Sequence, residues 1–290
     1  MKNYIKSILL ISAVLGLFLT ACDNIEAPYK KPSDNQIDTT KSNARKIFLE
    51  EFTGHRCGNC PEAAELAHEF KAKYPNLVVL AAYHTSSLAN PVGKVYSYDF
   101  RTPEGNAIEQ IVGEAAHPAG MINRVKFEGQ LVLGKPKWQA ALESQLNKTA
   151  IMTLKLNAYI NVYTNELEIE VDVNYLSAGT ANHYLAVYIV EDSIVKPQTD
   201  YRIQPPASPD VLDYVHNNVL RTAVNGIHGD QLSTGIIPAN SVFNKKYNYS
   251  IPAGKDWRIH QLRIIAFVHD KDASNEILQV EETNKLIFMY

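Results

Sequence analysis

The sequence has 290 residues, of which 46% are hydrophobic and 20% are charged, so it can bury cores for two domains. Its formal net charge of -3 gives no basic field, and no stripe of lysine and arginine interleaves with aromatic residues. These two properties argue against a nucleic acid partner. With only three cysteines, the chain is not a small disulfide-rich secreted scaffold either.

The first 22 residues form a leader that ends in a cysteine. Two lysines precede an apolar run over residues 8–19, which is short for a membrane-spanning helix. The run ends in Leu19-Thr20-Ala21-Cys22, which resembles the lipobox of bacterial lipoproteins. This resemblance implies that residues 1–21 are a lipoprotein signal peptide and that acylated Cys22 anchors the chain to a membrane. An ordinary cleaved signal peptide and a signal anchor are the alternatives.

Residues 22–43 have the composition of a linker. They contain Pro28 and Pro32 among Asp, Ser, Thr and Asn residues, without helical or strand periodicity. This pattern predicts a flexible tether. Such a tether would let a folded domain stand away from a bilayer.

Residues 44–149 alternate between short apolar runs and segments of helical periodicity. The predicted elements are a strand (44–53), a helix (61–74), a strand (77–83), a helix (104–115), a hairpin (121–133) and a helix from residue 136. The pair Cys57 and Cys60 lies between the first strand and the first helix, and Pro61 suits the first helical turn. This order predicts an α/β unit with the cysteine pair at the start of a helix.

Several motifs carry a resemblance to known families. Glu51-Phe52 followed by Cys57-x-x-Cys60 resembles the strand, active-site loop and helix of the thioredoxin superfamily. More narrowly, residues 52–61, His117-Pro118-Ala119-Gly120, Ile122-Asn123-Arg124 and His216-Asn217-Asn218-Val219-Leu220-Arg221 resemble the outer-membrane-protein-28-related lipoproteins. The resemblance implies a thioredoxin-like domain over residues 44–149. It also implies a location in the bacterial cell envelope, at the outer membrane.

The CxxC spacing suits thiol–disulfide exchange. A thiolate is the attacking species, and the N-terminus of a helix favours that charged form. His55 and Arg56 are expected to add positive charge nearby. Chain direction then makes Cys57 the nucleophile and Cys60 the resolving thiol, with protein thiols and disulfides as partners.

The same resemblance implies roles for two further residues. Glu51 matches a buried carboxyl beneath the resolving cysteine, where it would relay a proton. Strand alternation points one of Glu50 and Glu51 inward and leaves open which one. Pro118 matches the superfamily's cis-proline beside the active site. A trans proline in an ordinary loop is the alternative.

Three other interpretations compete for the cysteine pair. Haem attachment requires a histidine after the second cysteine, where Pro61 stands. Zinc requires a second ligand pair, and the histidines of this half (His55, His68, His84 and His117) lack that spacing. We therefore expect no metal and no cofactor. A static structural disulfide stays open as the third interpretation.

Residues 150–290 have a different pattern. Long runs alternate apolar and polar residues, which predicts an antiparallel β-sandwich of the immunoglobulin-like kind. The runs cover residues 152–163, 166–175, 183–191, 242–251, 258–269 and 276–287. An insertion at 196–240 interrupts them, with a short helix predicted over 211–222. Tyr201, Tyr214, His216 and Arg221 of the insertion are expected to meet a partner or to pack against the first domain. A structural cover on the edge of the sandwich is the alternative.

Two functions follow as hypotheses. The leading one is a lipid-anchored thiol–disulfide oxidoreductase of the bacterial envelope that uses Cys57 and Cys60. The alternative is a non-catalytic outer-membrane or surface protein with a binding or structural role. In that case the thioredoxin-like domain is a scaffold and the partner is an envelope protein.

Overall fold

The computed structural model describes residues 43–113, 115–271 and 275–290. The predicted signal peptide, the acylation site Cys22 and the predicted tether up to residue 42 lie outside the described residues. The fold is rich in β-structure and has few helices. In the part of the chain that the structure describes, no helix is long and apolar enough to cross a membrane.

Within these residues the helices are α1 (Cys60–Lys73), α2 (Pro103–Val112) and α3 (Trp138–Gln145). The longer strands are β1 (Ile47–Thr53), β2 (Val78–His84), β3 (Ala119–Ile122), β5 (Met152–Asn161), β6 (Glu166–Tyr175), β7 (His183–Glu191), β12 (Val219–Ala223), β14 (Val242–Ser250), β15 (Leu262–Asp270), β16 (Ile277–Glu282) and β17 (Ile287–Met289). The two-residue strands are β4 (Leu133–Gly134), β8 (Ile194–Val195), β9 (Gln198–Thr199), β10 (Asp210–Val211), β11 (Val215–His216) and β13 (Asp230–Gln231).

Strands β1 and β2 lie at the centre of the larger sheet. Every residue of both strands is buried, and the two run parallel with Ile47 opposite Val78. Apolar side chains on both faces are typical of a strand that is covered on both sides. Strand β3 pairs antiparallel with the other edge of β1, with Phe52 opposite Ala119.

The larger sheet contains strands from both sides of residue 150, where the sequence predicts a change of structure. In the described residues its strand order is β16-β15-β7-β12-β2-β1-β3-β4, with β13 paired to β7. Strand β12 joins the two halves because it pairs in parallel with β2 and antiparallel with β7. All described residues fall within one compact unit. The two segments predicted as separate domains therefore share a sheet.

In the second half, strands of the larger sheet pack face to face on a smaller sheet. The smaller sheet departs from the prediction. It has the order β14-β6-β5-β17, and β17 runs parallel to β5, so the arrangement is not wholly antiparallel. Ile169 and Val171 of this sheet pack in one core cluster with Ile189 and Ile264 of the larger sheet. The alternating burial of β6 matches the predicted strand period.

The helix predicted over 211–222 is wrong. This segment forms strands β10, β11 and β12, and β12 is buried at every position. Its valines lie at positions 211, 215 and 219, a spacing of four that also fits a helical face. β-branched side chains and the buried edge of the sheet favour the extended form instead. Asn218, with φ of 59°, turns the chain between β11 and β12.

Candidate functional site

The two cysteines lie where β1 gives way to α1. The amide of Cys57 donates to the carbonyl of Gly54 over 2.9 Å, and that of Cys60 donates to the carbonyl of Cys57 over 3.1 Å. Pro61 lies in the first helical turn, where its missing N–H costs no hydrogen bond. Cys57 and Cys60 are joined by a disulfide, with their Cα atoms 5.4 Å apart. Residues 54–60 are called the disulfide loop below.

A short segment of the insertion lies directly on the disulfide loop. We call residues 198–203 the cover segment. The amide of Thr199 donates to the carbonyl of His55, and that of Tyr201 donates to the carbonyl of Gly58, both over 2.9 Å. The Gln198 side-chain amide donates to the carbonyl of Cys57 over 3.0 Å. Beneath this cover, Cys57 is only 4% exposed and Cys60 only 2%.

Gly58 allows the cover segment to approach this closely. A Cβ atom added at Gly58 would lie 2.3 Å from the ring of Tyr201, so any larger residue must displace that ring. The expectation that Tyr201 packs against the first half of the chain is thereby confirmed. The outer side of its ring remains accessible, since the residue is 57% exposed.

Side chains on both sides hold the cover segment in place. Arg202 donates to both carboxylate oxygens of Glu65 on α1, over 2.5 and 2.8 Å, and also pairs with Asp200. The hydroxyl of Tyr96 donates to the carboxylate of Asp210 over 2.5 Å and lies 2.7 Å from the hydroxyl of Thr199. The cover segment is thus attached to α1 on one side and to the loop that carries Tyr96 on the other.

Both glutamates at the end of β1 are buried, so neither carboxyl points to solvent. Glu50 accepts hydrogen bonds from Arg124 over 2.7 and 2.8 Å and from the hydroxyl of Tyr83 over 2.7 Å. Glu51 points to the opposite face, and its Oε1 has no hydrogen-bond partner. Because burial disfavours its charged form, the pKa of Glu51 is raised to about 8. Glu51 is therefore a neutral acid at neutral pH.

Glu51 and Cys60 line one small cleft between α1 and the insertion. The cleft has a cavity volume of about 30 Å³, and His84, His216 and Asn218 line it as well. A cavity of this size holds a water molecule or two. The structure therefore places the predicted carboxyl and the predicted resolving cysteine in the walls of the same cleft.

A cluster of buried histidines, which the sequence motifs do not reveal as a group, surrounds Phe100. Ring centroids lie 4.3 Å apart for His84 and Phe100, 4.5 Å for His216 and Phe100, and 5.6 Å for His55 and Phe100. Burial lowers the pKa of all three histidines, that of His216 to about 4. The positive charge expected at His55 is therefore wrong, because the buried ring is neutral at neutral pH. Periodicity gives no signal for a cluster drawn from three separate segments.

Pro118 lies at the start of β3, next to the end of β1. The His117–Pro118 peptide bond is cis. His117 Nε2 lies 3.0 Å from the hydroxyl of Thr85, and its Nδ1 lies 2.9 Å from the carbonyl oxygen of Ala115. Glu51 and Cys60 thus line one cleft, the disulfide joins Cys57 to Cys60, and Pro118 directly precedes the strand that pairs with the end of β1.

Among the residues that the structure describes, no group of three or more His, Cys, Asp or Glu side chains could hold a metal ion. The buried histidines pack with aromatic rings and a backbone carbonyl instead. His55 Nε2, for example, lies 3.2 Å from the carbonyl oxygen of Asn90.

A solved structure with a similar fold supports a comparison. It is HBP35 of Porphyromonas gingivalis, with a TM-score of 0.61 and 18% sequence identity, over 85% of this chain and 78% of that one. At this identity the likeness concerns the fold alone. A domain of the outer membrane lipoprotein Omp28 from Porphyromonas gingivalis matches at 20% identity with a TM-score of 0.33, over 49% of this chain and 93% of that one. None of the curated proteins matches the chain.

The family comparison covers more than half of the sequence. The model of the family described as outer membrane protein Omp28 matches residues 105–285. The match includes Pro118, Arg124, the insertion and the strands of the second half, and it begins after the two cysteines. The chain belongs to the Omp28 family of outer membrane proteins, which places it in the bacterial cell envelope.

Proposed function

We propose that this protein is a non-catalytic outer-membrane protein with a binding or structural role, in which the disulfide-bearing half is a scaffold. The observation that carries this proposal is the burial of Cys57 beneath the cover segment. A nucleophilic cysteine must meet a partner sulfur, and a thiol that is buried and closed over is typically inert. The residues that match the family also lie outside the disulfide loop.

The insertion supplies a surface for a partner. Val195 and Val215 are a directly opposed cross-strand pair, 52% and 46% exposed, while their neighbours Ile194 and His216 point inward. Leu212, 63% exposed, lies close by in the chain. Exposed apolar side chains grouped in this way are typical of protein-binding surfaces. An envelope protein is the partner that we infer from them.

A second function has its own support. The neutral carboxyl of Glu51 lines the same cleft as Cys60, where it could supply a proton to a departing thiolate. This arrangement suits reduction of the Cys57–Cys60 disulfide, in which Cys60 leaves as a thiolate that takes the proton. Cys57, once reduced and with the cover segment moved, is then the nucleophile in thiol–disulfide exchange. We keep this oxidoreductase as the second candidate.

Two finer assignments accompany these proposals. The order of elements supports assigning a thioredoxin-like fold to residues 44–149, because strand β1, the disulfide loop, α1 and the parallel strand β2 follow one another as in such a unit.

The lipobox resemblance and the outer-membrane family support acylation at Cys22. Mass spectrometry of the protein from membranes tests the second assignment, because Cys22→Ser would abolish the lipid mass and release the chain.

A turnover assay tests the choice between the two functions. Purified full-length protein is added to insulin and dithiothreitol, and the reduction of insulin disulfides is followed. We expect no acceleration over dithiothreitol alone. Acceleration that is lost in Cys57→Ser and retained in Tyr163→Ala, a change at an exposed turn, would instead establish the oxidoreductase.

A crosslinking assay detects the binding partner that the proposed function requires. Crosslinking in intact cells should give the same partner adducts for the native chain and for a Cys57→Ser, Cys60→Ser double variant. Val215→Asp places a charge in the exposed apolar pair and should remove them. Loss of the adducts in the double variant, at unchanged protein level, would argue against a scaffold role for the disulfide.

A further inference from the structure

We propose that the cover segment is a gate that limits the access of thiols to the Cys57–Cys60 disulfide, with the ring of Tyr201 as the gating side chain. Attack on a disulfide requires a thiolate to reach one sulfur along the S–S axis. Cys57 is 4% exposed and Cys60 2%, so the closed structure leaves almost no sulfur surface for that approach. This inference goes beyond the proposed function, because it holds whether or not the pair turns over.

The cover segment contacts the disulfide loop at several positions. Its contacts alternate, with the amide of Thr199 on His55 and the amide of Tyr201 on Gly58. The side chain of Gln198 fills the space between them and donates to Cys57 and, over 3.4 Å, to Gly54. The carbonyls on the outer side of the loop are therefore occupied by the chain's own residues.

The outer attachments of the cover segment are of a kind that opens locally. Its first two residues form β9, which pairs with β10 in a two-stranded ribbon that is separate from both main sheets. The side chains of the Arg202–Glu65 pair are 45% and 56% exposed, and exposed ion pairs contribute little stability. Segments that have few buried apolar contacts, and whose hydrogen bonds are exposed to solvent, open without global unfolding. Gln198, Thr199 and Asp200 are buried, whereas Tyr201 and Arg202 are exposed, so the outer end of the segment can lift while both sheets stay intact.

The reaction that the gate controls is reduction of the disulfide by a dithiol. One thiolate of the reductant attacks Cys57 Sγ, the Cys57–Cys60 bond breaks, and Cys60 leaves as a thiolate that takes a proton. Glu51 in the adjacent cleft is a donor for that proton. The second thiolate of the reductant then attacks the mixed disulfide. The products are the oxidised dithiol and two reduced cysteines.

The rate of reduction by dithiothreitol tests the gate. Reduction of the full-length protein under native conditions is followed by quenching with an alkylating agent and counting the modified cysteines by mass. Tyr201→Ala removes the ring, and Gly58→Ala pushes it away from the loop. We expect both variants to be reduced at least about tenfold faster than the native protein, because local opening limits access. Tyr201→Phe keeps the ring and should retain the slow rate.

Controls separate gating from a loss of stability. Arg202→Ala removes the pairs with exposed Glu65 and with buried Asp200 without touching the loop, and it should raise the rate of reduction by more than any fall in the midpoint of thermal unfolding accounts for. Tyr163→Ala removes an exposed tyrosine far along the chain and should leave the rate unchanged. Rates within about twofold of the native value in Tyr201→Ala, Gly58→Ala and Arg202→Ala would overturn the gate. The assay contains no disulfide substrate, so its outcome is separate from that of the turnover assay.

Discussion

Glu50 and Glu51 are adjacent on β1 and equally hidden from solvent, yet their carboxyls face different surroundings. Glu50 meets a guanidinium and a hydroxyl that satisfy both of its oxygens. Glu51 faces the cleft that it shares with Cys60, and one of its oxygens has no partner there. Burial of an acid without a partner keeps it protonated, whereas burial with an arginine keeps it paired. This difference gives each residue its own test.

Replacing Glu51 by Gln should stabilise the protein increasingly as the pH rises. The folded-state pKa of about 8 lies above the ordinary 4.5, so the folded state binds the proton more tightly than the unfolded state. Stability is then lost as the pH rises from 4.5 towards 8. The variant should gain about 3 kcal/mol over the native protein between about pH 4 and pH 7. Urea unfolding at both pH values measures this difference, and a pH-independent difference would contradict the assignment.

Replacing Arg124 by Ala should be strongly destabilising, since it leaves the carboxyl of Glu50 buried without its charge partner. The expected loss is about 3–5 kcal/mol in the free energy of urea unfolding. A double variant, Glu50→Leu with Arg124→Met, removes both charges and should recover much of the loss. An Arg124→Ala protein within about 1 kcal/mol of the native value would show that the pair is not essential to the fold.

At the level of elements, the insertion is the part that reasoning from the sequence described least well. The alternating runs of the second half predict strands that the structure contains, because a half-buried strand repeats every two residues. The insertion offers only short strands and single side chains that reach across the molecule, such as Gln198 and Tyr201. Contacts of that kind leave no periodicity. The one signal was its length, which is unusual for a segment without function.

The insertion should loosen on acidification because of His216. Burial holds the pKa of His216 at about 4, below the ordinary 6.5, so the unfolded state binds the proton more readily. The stability that neutral His216 contributes is present above pH 6.5 and is lost as the pH falls towards 4. His216→Gln should remove about 2 kcal/mol of the fall in stability between about pH 7 and pH 4.5. Urea unfolding at both pH values measures this difference. His260→Gln, at an exposed site, is the matched control. Equal pH profiles of stability for the native protein and His216→Gln would refute the prediction.

The whole molecule is held together by a sheet and a core that both halves build. Phe48 and Tyr83 of the first half share a core cluster with Tyr188, Leu220 and Phe267 of the second. The sequence pattern changes at residue 150 because strand periods replace helical ones. Nothing in the pattern states which strands will be neighbours, since pairing between distant segments depends on the assembled core.

A fragment that ends at residue 149 should therefore fail to fold by itself. It would lack β12, the neighbour of β2, and would expose the apolar faces of Phe48 and Tyr83. We expect the fragment over residues 43–149 to show no cooperative thermal transition by near-ultraviolet circular dichroism, whereas the full chain shows one. A cooperative transition in the fragment would show that the first half is an independent domain.

The proposed function requires the Cys57–Cys60 disulfide to be a buried structural bond that does not exchange with other proteins. The most direct measurement is a search for mixed disulfides formed in cells by a Cys60→Ser variant, in which Cys57 has lost its resolving partner. After acid quenching and non-reducing electrophoresis, we predict that this variant runs as the monomer, because Cys57 stays beneath the cover segment. Adducts that form with Cys60→Ser and vanish when Cys57→Ser is added would contradict the proposed function and establish thiol exchange at Cys57.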